Sequence, residues 1–102
     1  PVKNTLFLCL IMLPLSTLAE IKILCLGDSL TAGFNLEQKH AYPHLLEQQL
    51  TAQNHSVKVV NAGISGSTTA SALGRLRWHL RSKNRADILL LALGANDGLR
   101  GL

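Results

Sequence analysis

Residues 21–30 read Ile21-Lys22-Ile23-Leu24-Cys25-Leu26-Gly27-Asp28-Ser29-Leu30, an apolar run cut off by Gly-Asp-Ser. Near-continuous apolar strands suit a parallel sheet, because helices cover both of its faces. Two later runs have the same form: Val57 to Val60, closed by Asn61-Ala62-Gly63, and Ile88 to Leu93, closed by Gly94. Between them the spacing turns helical. Tyr42, Leu45, Leu46 and Leu50 recur on one stripe, with Pro43 acceptable in a first turn and Asn54 near the end. Leu73, Leu76 and Leu80 make a second stripe, and Ser67, Thr68 and Thr69 offer N-caps before it.

The order strand, helix, strand, helix, strand calls for a parallel sheet with right-handed crossovers, an α/β architecture. With the strands in the order 2-1-3, all three strand-end loops open onto one edge, where open parallel sheets bind their ligands. Six consecutive apolar residues at 88–93 suit a strand paired on both edges and covered on both faces. The nine residues after Leu93 provide neither partner nor cover, so residues 20–102 are expected to be the N-terminal part of a larger doubly wound domain.

Composition narrows the function classes. The chain has 102 residues, 47% apolar and 16% charged, with a formal charge of +4, which allows one domain and excludes low-complexity disorder. Eight glycines without a period exclude collagen, and two cysteines exclude a disulfide framework. At the N-terminus, Lys3 precedes the apolar run Leu6 to Leu15, followed by Ser16-Thr17-Leu18-Ala19. That is an n-region, an h-region and a cleavage point after Ala19, so residues 1–19 read as a signal peptide and the processed chain as periplasmic or secreted. The run is too short for a span, and no stable membrane segment is expected after cleavage. Cys9 lies in this leader, which leaves Cys25 as a small buried hydrophobe. Arg75, Arg77, Arg81, Lys83 and Arg85 concentrate the basic excess. No nucleic-acid motif accompanies them, and the last three suit the exit of a helix, so no nucleic-acid partner is expected.

The strand ends carry the chemistry. Ser29, at a strand-to-helix turn, is the candidate nucleophile, with Gly27 allowing a sharp bend. The amide of Ser29, the amide of Gly63 and the carboxamide of Asn96 are candidate oxyanion donors, a set that suits acyl transfer. Each residue alone also fits plain turn-building, and it is their recurrence at three successive strand ends that singles them out. Competing motifs fail: Gly63-Ile64-Ser65-Gly66-Ser67 lacks the final Gly of a nucleophile elbow, phosphate cradles are missing, and Cys and His show no metal spacing. Asn54-His55-Ser56 matches a glycosylation acceptor, a pattern that arises often by chance.

Gly27-Asp28-Ser29-Leu30, Gly63 within Asn61-Ala62-Gly63-Ile64-Ser65-Gly66, and Gly94-Ala95-Asn96-Asp97 resemble the first three sequence blocks of the SGNH (GDSL) hydrolases. The flanking Leu30-Thr31-Ala32-Gly33-Phe34, Ala41-Tyr42-Pro43 and Asn96-Asp97-Gly98-Leu99-Arg100-Gly101 are similar to its exported bacterial branch of arylesterases, acyl-CoA thioesterases and lysophospholipases. The resemblance implies a three-layer α/β/α, flavodoxin-like fold, of which the first three strands are present here. It implies Ser29 as nucleophile, Ser29, Gly63 and Asn96 as oxyanion hole, Asp28 and Asp97 in support, and hydrolysis of a small acyl ester or thioester without metal or organic cofactor. The family's catalytic Asp and His come from a C-terminal D-x-x-H block that this sequence lacks, and His40, His44, His55 and His79 do not replace it. The 102-residue chain alone is therefore expected to be essentially inactive. A carbohydrate acetylesterase on the same fold and a noncatalytic flavodoxin-like binding module remain alternatives.

Overall fold

A computed structural model describes residues 19–81, 83 and 85–102, so the leader read at residues 1–19 lies outside it except for Ala19. Strands β1 (Ile21–Gly27), β2 (Val57–Gly63) and β3 (Ile88–Ala92) form one parallel sheet in the order β2-β1-β3. The register pairs Gly27 with Gly63 on one side and with Ala92 on the other, so the three strands end level. This is the expected architecture, and the level ends explain why the three loops share an edge.

β1 is central and is buried from Ile23 to Gly27. Side chains alternate across the sheet. Leu24 and Leu26 pack with Ala62 and with Ala72 of helix α3 (Thr69–Arg81). On the opposite face Cys25 is fully buried beside the hydroxyl of Tyr42, at the start of helix α2 (Tyr42–Ala52). Burial pushes the Cys25 thiol up, as suits a packing residue. Pro43 occupies the first turn of α2, where its missing N–H costs no hydrogen bond.

The structure departs from the sequence reading in four places. β2 runs three residues past its apolar stretch, because Asn61-Ala62-Gly63 find partners in Cys25-Leu26-Gly27. Two short helices, α1 (Ser29–Ala32) and α4 (Ala95–Arg100), follow β1 and β3, and a 3-10 turn covers Gln38–His40. Four to six residues are too few to show a helical period. α3 meets the sheet through Ala72, while Leu73 and Leu80 stay exposed. The small residue lets the helix come close, and Leu73 and Leu76 instead border an open groove of about 250 Å³ with Leu26, Ala72, Leu91 and Leu93.

β3 is an edge strand, and its residues remain exposed, from 37% at Leu90 to 63% at Leu91. The other edge is better protected: the amide of Val59 in β2 donates to Glu47 Oε1 of α2 at 2.8 Å. An apolar edge strand with free backbone groups is a template for association. The 102-residue chain is thus expected to elute above monomer mass in size-exclusion chromatography with light scattering, and Leu89→Lys with Leu91→Lys to restore the monomer. A monodisperse monomer from the unsubstituted chain would contradict this.

Candidate active site

The first loop begins where β1 ends. Asp28 is buried at 4% exposure and caps α1, its Oδ1 accepting the Leu30 amide at 3.0 Å. Ser29 is the first residue of α1 and half-buried. Its carbonyl is used by the amides of Gly33 and Phe34, each at 3.0 Å, but its own amide and its Oγ have no hydrogen-bond partner among the described residues. A side chain with an uncommitted hydroxyl, next to an uncommitted N–H, can both attack a carbonyl carbon and bind the oxygen that becomes negative.

Gly63 occupies a different role from the one its position in the sequence suggested. Its amide donates to Asn61 Oδ1 at 2.9 Å, while Asn61 Nδ2 donates to the carbonyl of Thr31 at 3.0 Å. A Cβ at Gly63 would run into the Ala32 nitrogen and lie 2.7 Å from the Thr31 carbonyl carbon. The glycine is there so that α1 can rest on the end of β2, and its N–H is already committed. Gly27 is needed for the same contact, since a Cβ there would strike Thr31 Oγ1; its φ is not positive, so close approach rather than a sharp bend requires it.

Gly66 carries an uncommitted amide in this loop. Residues 64–67 form a turn closed by the Ser67 amide on the Ile64 carbonyl at 3.1 Å, with Gly66 at φ 80°. Only glycine takes that conformation at little cost. The Gly66 amide has no partner among the described residues, and its carbonyl accepts from Arg100 at 3.0 Å. The turn is tied to the first loop, because the Ile64 amide donates to the Gly27 carbonyl at 3.1 Å.

Asn96 lies in α4 and donates from Nδ2 to the Ser67 carbonyl at 2.9 Å. That bond orients the carboxamide and uses one of its two N–H groups. The structure therefore brings the loops of Ser29 and Asn96 together around the 64–67 turn. Asp97 stays outside the chemistry: its carboxylate accepts the Thr69 amide at 3.0 Å and the Thr69 hydroxyl at 2.6 Å, capping α3 from α4. Both aspartates thus accept from backbone at a helix start, Asp28 at α1 and Asp97 at α3. None of His40, His44, His55 and His79 hydrogen-bonds Ser29 among the described residues, and His79 instead packs edge-on against Trp78, with ring centroids 4.9 Å apart.

At the level end of this parallel sheet, the hydroxyl and amide of Ser29 and the amide of Gly66 are uncommitted among the described residues. Residues 25–102 match the GDSL-like Lipase/Acylhydrolase family model, and the chain belongs to that family. It is 43% identical over 96 residues, 94% of this chain, to an arylesterase of Vibrio mimicus, of which the match covers 46%. It is 40% identical over 95 residues, 93% of this chain, to the thioesterase 1/protease 1/lysophospholipase L1 of Escherichia coli K12, of which the match covers 44%. Among solved structures, the SGNH-hydrolase family esterase AlinE4 superposes with a TM-score of 0.75 at 39% identity, covering 81% of this chain and 44% of AlinE4. The chain spans a little under half the length of these relatives.

Two outcomes follow from the site. Gly63→Ala is expected to lower stability by about 1–3 kcal/mol, the usual cost of forcing a methyl group against packed atoms, read as a lower urea midpoint; an unchanged midpoint would mean that α1 does not rest on this glycine. The Thr69 hydroxyl and amide hold the Asp97 carboxyl below its ordinary value of 3.8. A carboxyl depressed in the folded state stabilises above its unfolded value and loses that contribution as pH falls through the folded one. Asp97→Asn is therefore expected to melt below the unsubstituted chain at neutral pH and to converge with it below about pH 3.8, checked by melting temperature against pH.

Proposed function

We propose that this chain supplies the nucleophile side of an ester hydrolase acting on carboxylic esters or thioesters. The single observation that carries the proposal is the uncommitted hydroxyl and amide of Ser29, in a loop tied through the hydrogen bond from the Ile64 amide to the Gly27 carbonyl to the turn that holds Gly66 and receives Asn96. The relatives named arylesterase and thioesterase 1/protease 1/lysophospholipase L1 support the substrate class.

In this reading Ser29 Oγ attacks the acyl carbonyl carbon and gives its proton to a base. The carbonyl π pair moves onto oxygen, and the oxyanion is held by the Ser29 amide, the Gly66 amide and the remaining N–H of Asn96 Nδ2. Collapse expels the alcohol or thiol, which takes a proton from the base, and leaves an ester on Ser29. Water then attacks that ester and gives a proton to the base, the bond between the acyl carbon and Ser29 Oγ breaks as Oγ takes that proton back from the base, and the acid is released. Each donor of such a hole contributes about 10² to 10³ in rate. The base is assigned to an Asp-x-x-His block of the kind the resemblance implies, in a segment that completes this one. Export to the periplasm or the medium belongs to the same proposal and rests on the leader pattern of residues 1–19.

The test compares p-nitrophenyl butyrate hydrolysis and fluorophosphonate labelling in the chain joined to its base-carrying segment. Ser29→Ala is expected to abolish labelling and to lower turnover by about 10⁴- to 10⁶-fold. Turnover that survives Ser29→Ala, or a serine that never labels, would overturn the proposal and favour a binding module.

A further inference from the structure

Arg75 of α3 reaches back across the carboxyl ends of β1 and β2. One terminal nitrogen donates to the Ala62 carbonyl at 2.6 Å, and the other donates to the Gly27 carbonyl at 3.2 Å and to Ser67 Oγ at 2.5 Å. Its Nε is buried without a hydrogen-bond partner, and no carboxylate of a described residue pairs with the guanidinium. The sequence reading placed Arg75 with the surface cations, and the structure turns it inward.

The three acceptors are not scattered. The Gly27 carbonyl immediately precedes Asp28-Ser29, the Ala62 carbonyl precedes Gly63, and Ser67 closes the turn that holds Gly66 and accepts from Asn96. One rigid, planar cation thus touches the nucleophile loop and both sides of the 64–67 turn. Arg75 is half-buried, and a partly desolvated cation whose Nε has no partner and which lacks a carboxylate is costly to retain for stability alone. A guanidinium fork holds several acceptors in fixed relative positions, which an ammonium on a flexible stem does less well.

Resting on the hydrolase reading above, we infer that Arg75 is a positioning residue that sets the distance between the Ser29 loop and the Gly66 and Asn96 donors. It touches neither substrate nor reacting atoms. Its removal loosens the oxyanion hole, which matters in the transition state and little for the ground-state complex.

The experiment uses the chain joined to its base-carrying segment, with active sites counted by a fluorophosphonate burst so that turnover is expressed per competent site. Arg75→Met is expected to lower kcat per site about 10- to 100-fold, the scale of a misplacement near 1 Å, with KM within about threefold. Arg75→Lys should recover part of the loss, and Ser67→Ala, which removes one acceptor, should lower kcat per site by a smaller factor in the same direction. A merely structural role predicts fewer titratable sites at unchanged kcat per site, and that result would overturn the inference. If Arg75→Met yields no folded protein, Arg75→Lys and Ser67→Ala decide by the same ratio. The Ser29→Ala control separates the two claims: turnover that survives it sinks the hydrolase reading, whereas turnover that depends on Ser29 but not on Arg75 sinks only this one.

Discussion

The carbonyl of Gly27 is the point on which the loop cluster hangs. β1 ends there, and the oxygen that would otherwise continue a ladder accepts the Ile64 amide and the Arg75 guanidinium. Because β2 and β3 end at the same level, this one acceptor joins the loop before Ser29 to the turn that holds Gly66. Three further groups at the edge are attached to that turn: Asn96 through the Ser67 carbonyl, Arg100 through the Gly66 carbonyl, and Arg75 of α3 through Ser67 Oγ. A parallel sheet leaves its strand-end groups unpaired, and here the carbonyls of Gly27 and Ala62 are satisfied by Ile64 and Arg75. The functional edge and the structural problem of ending three strands together share one solution.

Much of the fold was legible in the sequence because strands buried on both faces leave long apolar runs, and helices leave stripes. The placing of Ser29 and Asn96 at strand ends follows from those runs and from where glycine interrupts them, whereas the order 2-1-3 is supposed in the sequence reading and found in the structure. What escaped was decided by contacts between distant residues. Gly63 and Gly66 stand three residues apart in the same block, and nothing in their spacing says which amide is free. Gly63 lies at the end of β2, pressed against α1, with a side chain two residues earlier taking its N–H. Gly66 needs a positive φ, which a single sequence does not announce. Arg75 stood in a run of cations, and only the approach of α3 through Ala72 turns it toward the sheet. The cap of α3 was sought in Ser67, Thr68 and Thr69, yet the carboxylate on the Thr69 amide comes from 28 residues away.

The stretch that matches the GDSL-like Lipase/Acylhydrolase family, residues 25–102, contains Ser29, the nucleophile of the proposed function. The family likeness directs attention to that serine, and the geometry says why it is available. Asp28 satisfies the Leu30 amide, the Ser29 carbonyl receives Gly33 and Phe34, and the hydroxyl and amide between them are left over. Capping α1 by a side chain rather than by the loop backbone is what frees them. What Asp28 contributes to this loop is therefore geometric.

The two borders of the sheet are unlike. Along β2, the amides of Val59 and Gly63 are satisfied by side-chain oxygens of Glu47 and Asn61, whereas β3 presents exposed apolar residues. Edge-to-edge joining of the 102-residue chain is therefore favoured on one side: two molecules meeting through β3 by a twofold axis would form a closed pair. An open-ended fibre would need the β2 border as well, where Glu47 and Asn61 already occupy two amides.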